Sequence, residues 1–196
     1  MVTLTKRGEW YLDCPKKLRN IPAPRLIFIG AIDAYKVDLA ALLDLAKKRP
    51  DWNIVLAGPV GEADSRTNIK QLQDCPNVIL VGSVPYEELP DWLSHADVAL
   101  LPLLMNVYTK NMFPMKFFEY LAAGIPVVAS AIPSLIPFSN AALLVESDED
   151  DLEKAVNLAL SGHGPSQPER LSLAYRHTYI QRTKSMLSIL DDCGLI

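Results

Sequence analysis

Apolar and polar positions fall in alternating blocks along most of this chain. From Arg25 a continuous apolar run, Leu26-Ile27-Phe28-Ile29, ends at Gly30. That is the pattern of a strand buried on both faces, because a strand with one wet side would alternate. Leu39, Leu42, Leu43 and Ala46 then recur at helical spacing until Pro50 stops the helix. Further strands are expected at Asn53 to Ala57, Val78 to Val81, Val98 to Leu101, Val127 to Ala129 and Ala142 to Val145. Between them fall a weaker helix from Ser65 to Leu72, a short one from Pro85 to Leu93 and a third from Pro114 to Ala123. Pro102 to Phe113 is a long, polar-flecked loop. Ser147, with Asp150 three positions on, forms a capping box for a helix ending near Leu160. One last amphipathic helix is expected from Pro168 to Leu190, with Leu173, Ile180 and Leu187 as its apolar stripe.

About six strands alternating with helices at this pace imply an α/β domain, a doubly wound, Rossmann-like parallel sheet with helices on both faces. Residues 1–24, punctuated by Pro15, Pro22 and Pro24, read as a linker or interdomain segment. The sheet domain occupies 25–164, and 165–196 form the C-terminal helix.

Composition narrows the chemistry. A formal net charge of −4 offers no basic excess to neutralise phosphates, which argues against a general nucleic-acid or anionic-membrane binder. Any phosphate must be held by a local site. No apolar run approaches the ~20 residues a membrane helix needs, and Met1 to Trp10 lack the apolar core of a signal peptide. A cytoplasmic protein is the expectation. Cys14, Cys75 and Cys193 are scattered without disulfide or metal-ligand spacing, and His95, His163 and His177 are dispersed. Asp148-Glu149-Asp150 spells D-x-D, but acids in a first helical turn suit the helix dipole. No G-x-G-x-x-G follows the first strand and no G-x-S-x-G occurs, so a nicotinamide dehydrogenase and an α/β-hydrolase are disfavoured.

Ligands of an open parallel sheet bind beyond the carboxyl ends of its strands. That rule nominates the loops Gly30 to Lys36, Gly82 to Tyr86 and Pro102 to Asn111, and the helix start at Pro114. In that helix Lys116, Glu119 and Tyr120 stand at i, i+3 and i+4, the spacing of one face. A carboxylate there can accept two adjacent hydroxyls, such as those of a ribose, while amides at the helix start can meet a pyrophosphate. The plainer alternative is a Lys116–Glu119 surface pair contributing a few tenths of a kcal/mol.

The stretch Phe113-Pro114-Met115-Lys116-Phe117-Phe118-Glu119-Tyr120-Leu121-Ala122-Ala123-Gly124-Ile125-Pro126-Val127-Val128-Ala129 resembles the signature segment of group 1 (family 4) glycosyltransferases. It is most similar to the bacterial branch with the motif P-x-K-x-x-E-Y-L-A-x-G-x-P-V-V. Gly30-Ala31-Ile32-Asp33, Pro50-Asp51-Trp52, Leu56-Ala57-Gly58-Pro59, Asn77-Val78, Gly82 to Pro85 and Ala96 to Pro102 resemble it in order and spacing. The likeness covers about residues 25–160.

The resemblance implies the C-terminal domain of the two-Rossmann GT-B fold. This domain would hold a nucleotide diphosphate sugar, and an N-terminal domain outside this chain would hold the acceptor. The last helix would cross back to that domain. The implied setting is cell-envelope polysaccharide synthesis on the cytoplasmic side, peripheral to the inner membrane through the other domain. No cofactor and no metal is implied. Glu119 matches the ribose-gripping glutamate of the family's E-x7-E motif, and its first glutamate falls on Asn111, which carries no charge to support a developing oxocarbenium. The family arginine after the first-strand glycine is Ala31 here, and Lys36 is the nearest match to the lysine that follows. Asn111 and Lys36 are thus the catalytic candidates. The implied substrate-binding set is Glu119, Lys116, Pro114, Met115, Gly30, then Gly82, Ser83 and Val84 along the nucleobase, with Asn106 and Thr109 (beside Lys110) in the sugar loop. A nucleotide-sugar epimerase half-domain and a degenerate, non-catalytic binding module are the competing readings.

Overall fold

The computed structural model describes residues 14–146 and 149–194, with 149–151 as backbone alone. The capping box of Ser147 and Asp150, the side chains of the D-x-D stretch at 148–150 and the first 13 residues of the expected linker lie outside the described part.

Six strands form the sheet: β1 (Arg25–Ile29), β2 (Asn53–Ala57), β3 (Val78–Gly82), β4 (Val98–Leu101), β5 (Val127–Ser130) and β6 (Leu143–Val145). All pair in parallel, in the order β3-β2-β1-β4-β5-β6. Leu26, Ile27, Ile54, Val55, Leu56, Val98, Ala99 and Leu100 are completely buried, as continuous apolar strands with both faces covered must be. The chain moves outward from β1 to β3, then jumps back to β4 beside β1. This reversal leaves a crevice at the carboxyl ends of β1 and β4.

Eight α-helices are described: α1 (Leu39–Lys48), α2 (Lys70–Gln73), α3 (Leu89–Ser94), α4 (Val107–Lys110), α5 (Lys116–Ala122), α6 (Glu149–Leu160), α7 (Gln167–Arg176) and α8 (Tyr179–Asp192). Helix α1 contacts α2 and α6, while α5 packs on α7. The expected helix from Ser65 is shortened to α2. Asp64 and Asn68 accept hydrogen bonds from the backbone amides of Arg66 and Lys70 at 3.1 and 3.0 Å, and such local bonds compete with helix formation.

Helix α5 is fixed to the sheet by one side chain. The hydroxyl of Tyr120, fully buried, accepts from the Ile29 amide at 2.8 Å and donates to the Ile29 carbonyl at 3.2 Å. Burial pushes its phenol well above the usual range. Tyr120 therefore does not share an open face with Lys116 and Glu119, contrary to the spacing argument.

Two further expectations change. The described part of the expected linker or interdomain segment, residues 14–24, packs on the sheet domain: Leu18 is 1% exposed, Lys17 donates to the Val81 carbonyl at 2.6 Å, and Asn53 donates to the Pro22 carbonyl at 2.9 Å. The single last helix is two helices, broken at His177-Thr178, where Thr178 turns extended and accepts from the Gln181 amide to start α8. Helix α7 is docked. Buried Arg170 donates twice to the Gly124 carbonyl, at 3.1 and 2.6 Å, and also to that of Pro165. At the break, His177 stacks on Phe118 with centroids 4.8 Å apart, and the Arg182 guanidinium lies 4.5 Å over Phe113. Beyond them α8 buries nothing: Leu173 is covered in α7, whereas Ile180 is 68% and Leu187 49% exposed.

Tyr120→Phe leaves both polar groups of Ile29 without their side-chain partner. It is expected to cost about 1–3 kcal/mol in urea unfolding, with the fold retained. Burial, followed by the charges of Arg182 and Arg176, lowers the pKa of His177. The unfolded chain thus binds more protons there just below pH 6.5, and stability falls as pH drops through that window. His177→Phe should remove part of this loss, measured as a smaller difference in urea midpoint between pH 7.5 and 5 than in the wild type.

Candidate functional site

The crevice begins where β1 ends. Gly30 has φ +152, and so does Gly58 at the end of β2, where a β-carbon would stand 2.0 Å from the Gly30 carbonyl oxygen. Only glycine at 58 lets these two strand ends approach so closely. The loop after Gly30 is then stitched to both neighbours. Ile32 bridges to Val60 and Val37 to Leu103, while the Asp38 amide donates to the Pro102 carbonyl at 2.9 Å.

A hollow of ≈ 190 Å³ opens above this seam, lined among others by Gly30, Lys36, Pro114, Met115, Lys116 and Glu119. Residues from two separate sequence segments, 30–36 and 114–119, therefore converge at one spot. Glu119 and Lys116 are both partly exposed and joined at 2.6 Å, so the surface pair and the shared cleft coexist. Lys116 also stands 5.4 Å over the ring of Tyr86.

Glu119 borders a second hollow of ≈ 240 Å³ between α3 and α5, with Tyr86, Leu89, Pro90 and Leu93 on its far wall. The negative charge of Glu119, followed by burial, raises the Tyr86 phenol above its ordinary value. Tyr86, 66% exposed, enters from sequence only as the boundary of a loop. Its signal was an aromatic four residues past the glycine that ends β3. Gly82 and Ser83 lie exposed at that strand end, and Val84 is half-buried. Gly82 has φ +73 with open space where a β-carbon would be.

The loop after β4 is more structured than its polar sequence suggests. Asn106 caps α4, accepting from the amides of Tyr108 and Thr109 at 2.9 and 3.0 Å and donating to the Tyr35 carbonyl at 2.6 Å. Thr109 is completely buried, accepts from the Asn106 amide at 3.0 Å and donates to the Leu104 carbonyl. Both side chains thus build the loop and tie it to the one after β1. Asn111 is exposed, and its amide donates to the Val107 carbonyl at 2.8 Å. Lys36 leans back, 3.3 Å from a carboxylate oxygen of buried Asp33. No group of three or more potential metal ligands occurs among the described residues, and none of their helices is long and apolar enough to cross a membrane.

Comparison with known proteins fits this geometry. TuaH of Bacillus subtilis (strain 168), named as a teichuronic acid biosynthesis glycosyltransferase, is 35% identical over 107 residues, covering 55% of this chain and 26% of that protein. AmsK of Erwinia amylovora, an amylovoran biosynthesis glycosyltransferase, is 36% identical over 106 residues, covering 51% of this chain and 26% of its own length. The match thus spans about a quarter of each relative. Anabaena Alr3699/HepE, solved in complex with UDP-glucose, superposes with a TM-score of 0.72 at 14% identity, covering 86% of this chain and 49% of that one. That likeness is one of fold. The family model for group 1 glycosyl transferases matches residues 23–163, from the strap that enters β1 to the turn that follows α6, and the chain therefore belongs to the group 1 glycosyltransferases.

Proposed function

We propose that this chain is the donor-binding domain of a GT-B glycosyltransferase, holding a nucleotide diphosphate sugar for an acceptor bound by a separate N-terminal domain of the same polypeptide. The observation that carries this reading is the position of Glu119. It borders two hollows at once, one leading to Gly30 and Lys36 and the other to Tyr86. A ribose with its diols on Glu119 would send the diphosphate toward Lys36, Lys116 and the amides at Met115 and Lys116. Its base would extend toward Tyr86, Gly82, Ser83 and Val84. The UDP-glucose complex of the Anabaena protein, on the same fold, supports that class of ligand. Transfer on such a platform works by positioning and by stabilising the departing diphosphate. The open apolar side of α8, with Ile180 and Leu187 exposed, supports contact with the further domain.

A second reading, a binding module without catalysis, is favoured by one observation. Asn111 is uncharged and donates its amide to the Val107 carbonyl, so it offers little to a developing positive charge. Both readings share nucleotide binding, and transfer by the two-domain protein separates them.

Losing hydrogen bonds to a charged group costs ~1.5–3 kcal/mol, so Glu119→Ala should weaken UDP or GDP binding roughly ten- to a hundredfold in calorimetric titration. Glu119→Gln should lose less, because its amide keeps one acceptor. The affinity should not change when EDTA replaces magnesium. Equal affinity in all three proteins would end the ribose assignment. The isolated 196-residue chain is expected to bind nucleotide yet transfer no sugar above background. Turnover by this chain alone would overturn the two-domain reading.

A further inference from the structure

Asp33 is a completely buried charge with a divided carboxylate. Its Oδ1 accepts from the amides of Ala63 and Asp64 at 3.1 and 3.3 Å, stapling the loop after β1 to the loop after β2. Its Oδ2, shielded from solvent, has no hydrogen-bond partner and faces the Lys36 ammonium at 3.3 Å. The backbone arranges this meeting: the Asp33 carbonyl accepts from the amides of Lys36 and Val37 at 3.1 and 2.9 Å, turning Lys36 back over its own loop. Around the staple, Ile32 bridges to Val60 and the Ala34 amide donates to the Thr67 hydroxyl at 3.0 Å. The loop at 58–67 thereby forms a floor beneath the loop at 30–36.

A staple alone does not explain a charge. An asparagine would present the same oxygen to the two amides without the cost of burying an ion, and a buried carboxylate is tolerated only when paired. What the charge adds is a hold on Lys36. That lysine is the one basic residue of the 30–36 loop, and it lines the hollow shared with Met115, Lys116 and Glu119. A free lysine on four rotatable bonds would lose much more side-chain entropy on meeting a ligand than one already steered there.

We infer that Asp33 is a positioning residue for the donor's diphosphate, holding Lys36 at the mouth of the cleft and making the loop at 58–67 the second layer of the site. This rests on the donor-binding reading, and the test separates the two. UDP and GDP are titrated into the wild type, and whichever binds more tightly is titrated into Asp33→Asn, Lys36→Met and the double variant. Urea midpoints are recorded for all four proteins. Asp33→Asn keeps an oxygen for the Ala63 and Asp64 amides, so its loss reports on the charge. Affinity should fall roughly three- to tenfold in Asp33→Asn and about tenfold in Lys36→Met. In the double variant it should fall no further than in Lys36→Met, because a positioning residue has nothing left to position. The proposal is overturned if Asp33→Asn binds like the wild type, or if it costs the same factor with Lys36 already removed, the mark of a purely structural staple. Lys36→Met alters a partly exposed side chain and should fold even if Asp33→Asn does not, and wild-type affinity in that variant is equally fatal. A wild type that binds neither nucleotide instead overturns the donor reading itself.

Discussion

The two hydrogen bonds between the Tyr120 hydroxyl and Ile29 fix the geometry on which this site depends. They join the helix that carries Glu119 and Lys116 to the last residue of the central strand, one position before Gly30. Helix α5 is only seven residues long, too short to hold its orientation by propensity, so packing and this clamp must supply it. Because the phenol is fully buried, with no solvent to compete for its bonds, a shift of α5 would strand buried polar groups. Glu119 immediately precedes Tyr120 in the helix, so whatever fixes the tyrosine also constrains where the carboxylate stands relative to the Gly30 turn.

Much of the polar chemistry near the crevice serves construction. Asn106, Thr109 and Asp38 all direct side-chain oxygens at backbone amides, and Ser130 accepts from the Leu103 amide at 2.7 Å. These bonds let a long connection lie against β4 without orphaned donors. What remains for a ligand is a smaller set: Glu119, Lys116 and Tyr86, whose side chains meet one another, and Lys36, paired with Asp33.

The sheet was legible because its strands are apolar runs, the first four ended by glycine or proline, and this signal survives any tertiary context. Residues whose role depends on distant partners were not legible. The spacing of Lys116, Glu119 and Tyr120 assigns them one face, yet seven residues wrap nearly twice around the axis, and packing decided that Tyr120 turned inward. The resemblance sets Asn106 and Thr109 in the sugar loop as binding candidates, because a capping box spread over a single helical turn looks like any polar stretch. The break at His177-Thr178 was hidden by an apolar period that continues from Leu173 to Ile180 and Leu187, even though only the first of these reaches the core.

That break divides the C-terminal segment into two regimes of stability. Helix α7 is tied to the Gly124 turn by buried Arg170, so it behaves as part of the domain. Helix α8 touches the domain near its first turn, where Arg182 lies over Phe113 and 3.2 Å from the Met115 sulfur. Cation–π contacts at partly exposed sites contribute only about 0.5–1 kcal/mol each, while fourteen residues of α8 must be ordered with none of them buried. The anchor residues are those that lead into α5: Phe113 and Met115 flank Pro114 at the edge of the hollow. The start of α8 and the entrance to the cleft thus share contacts: Arg182 holds α8 to the residues that lead into α5.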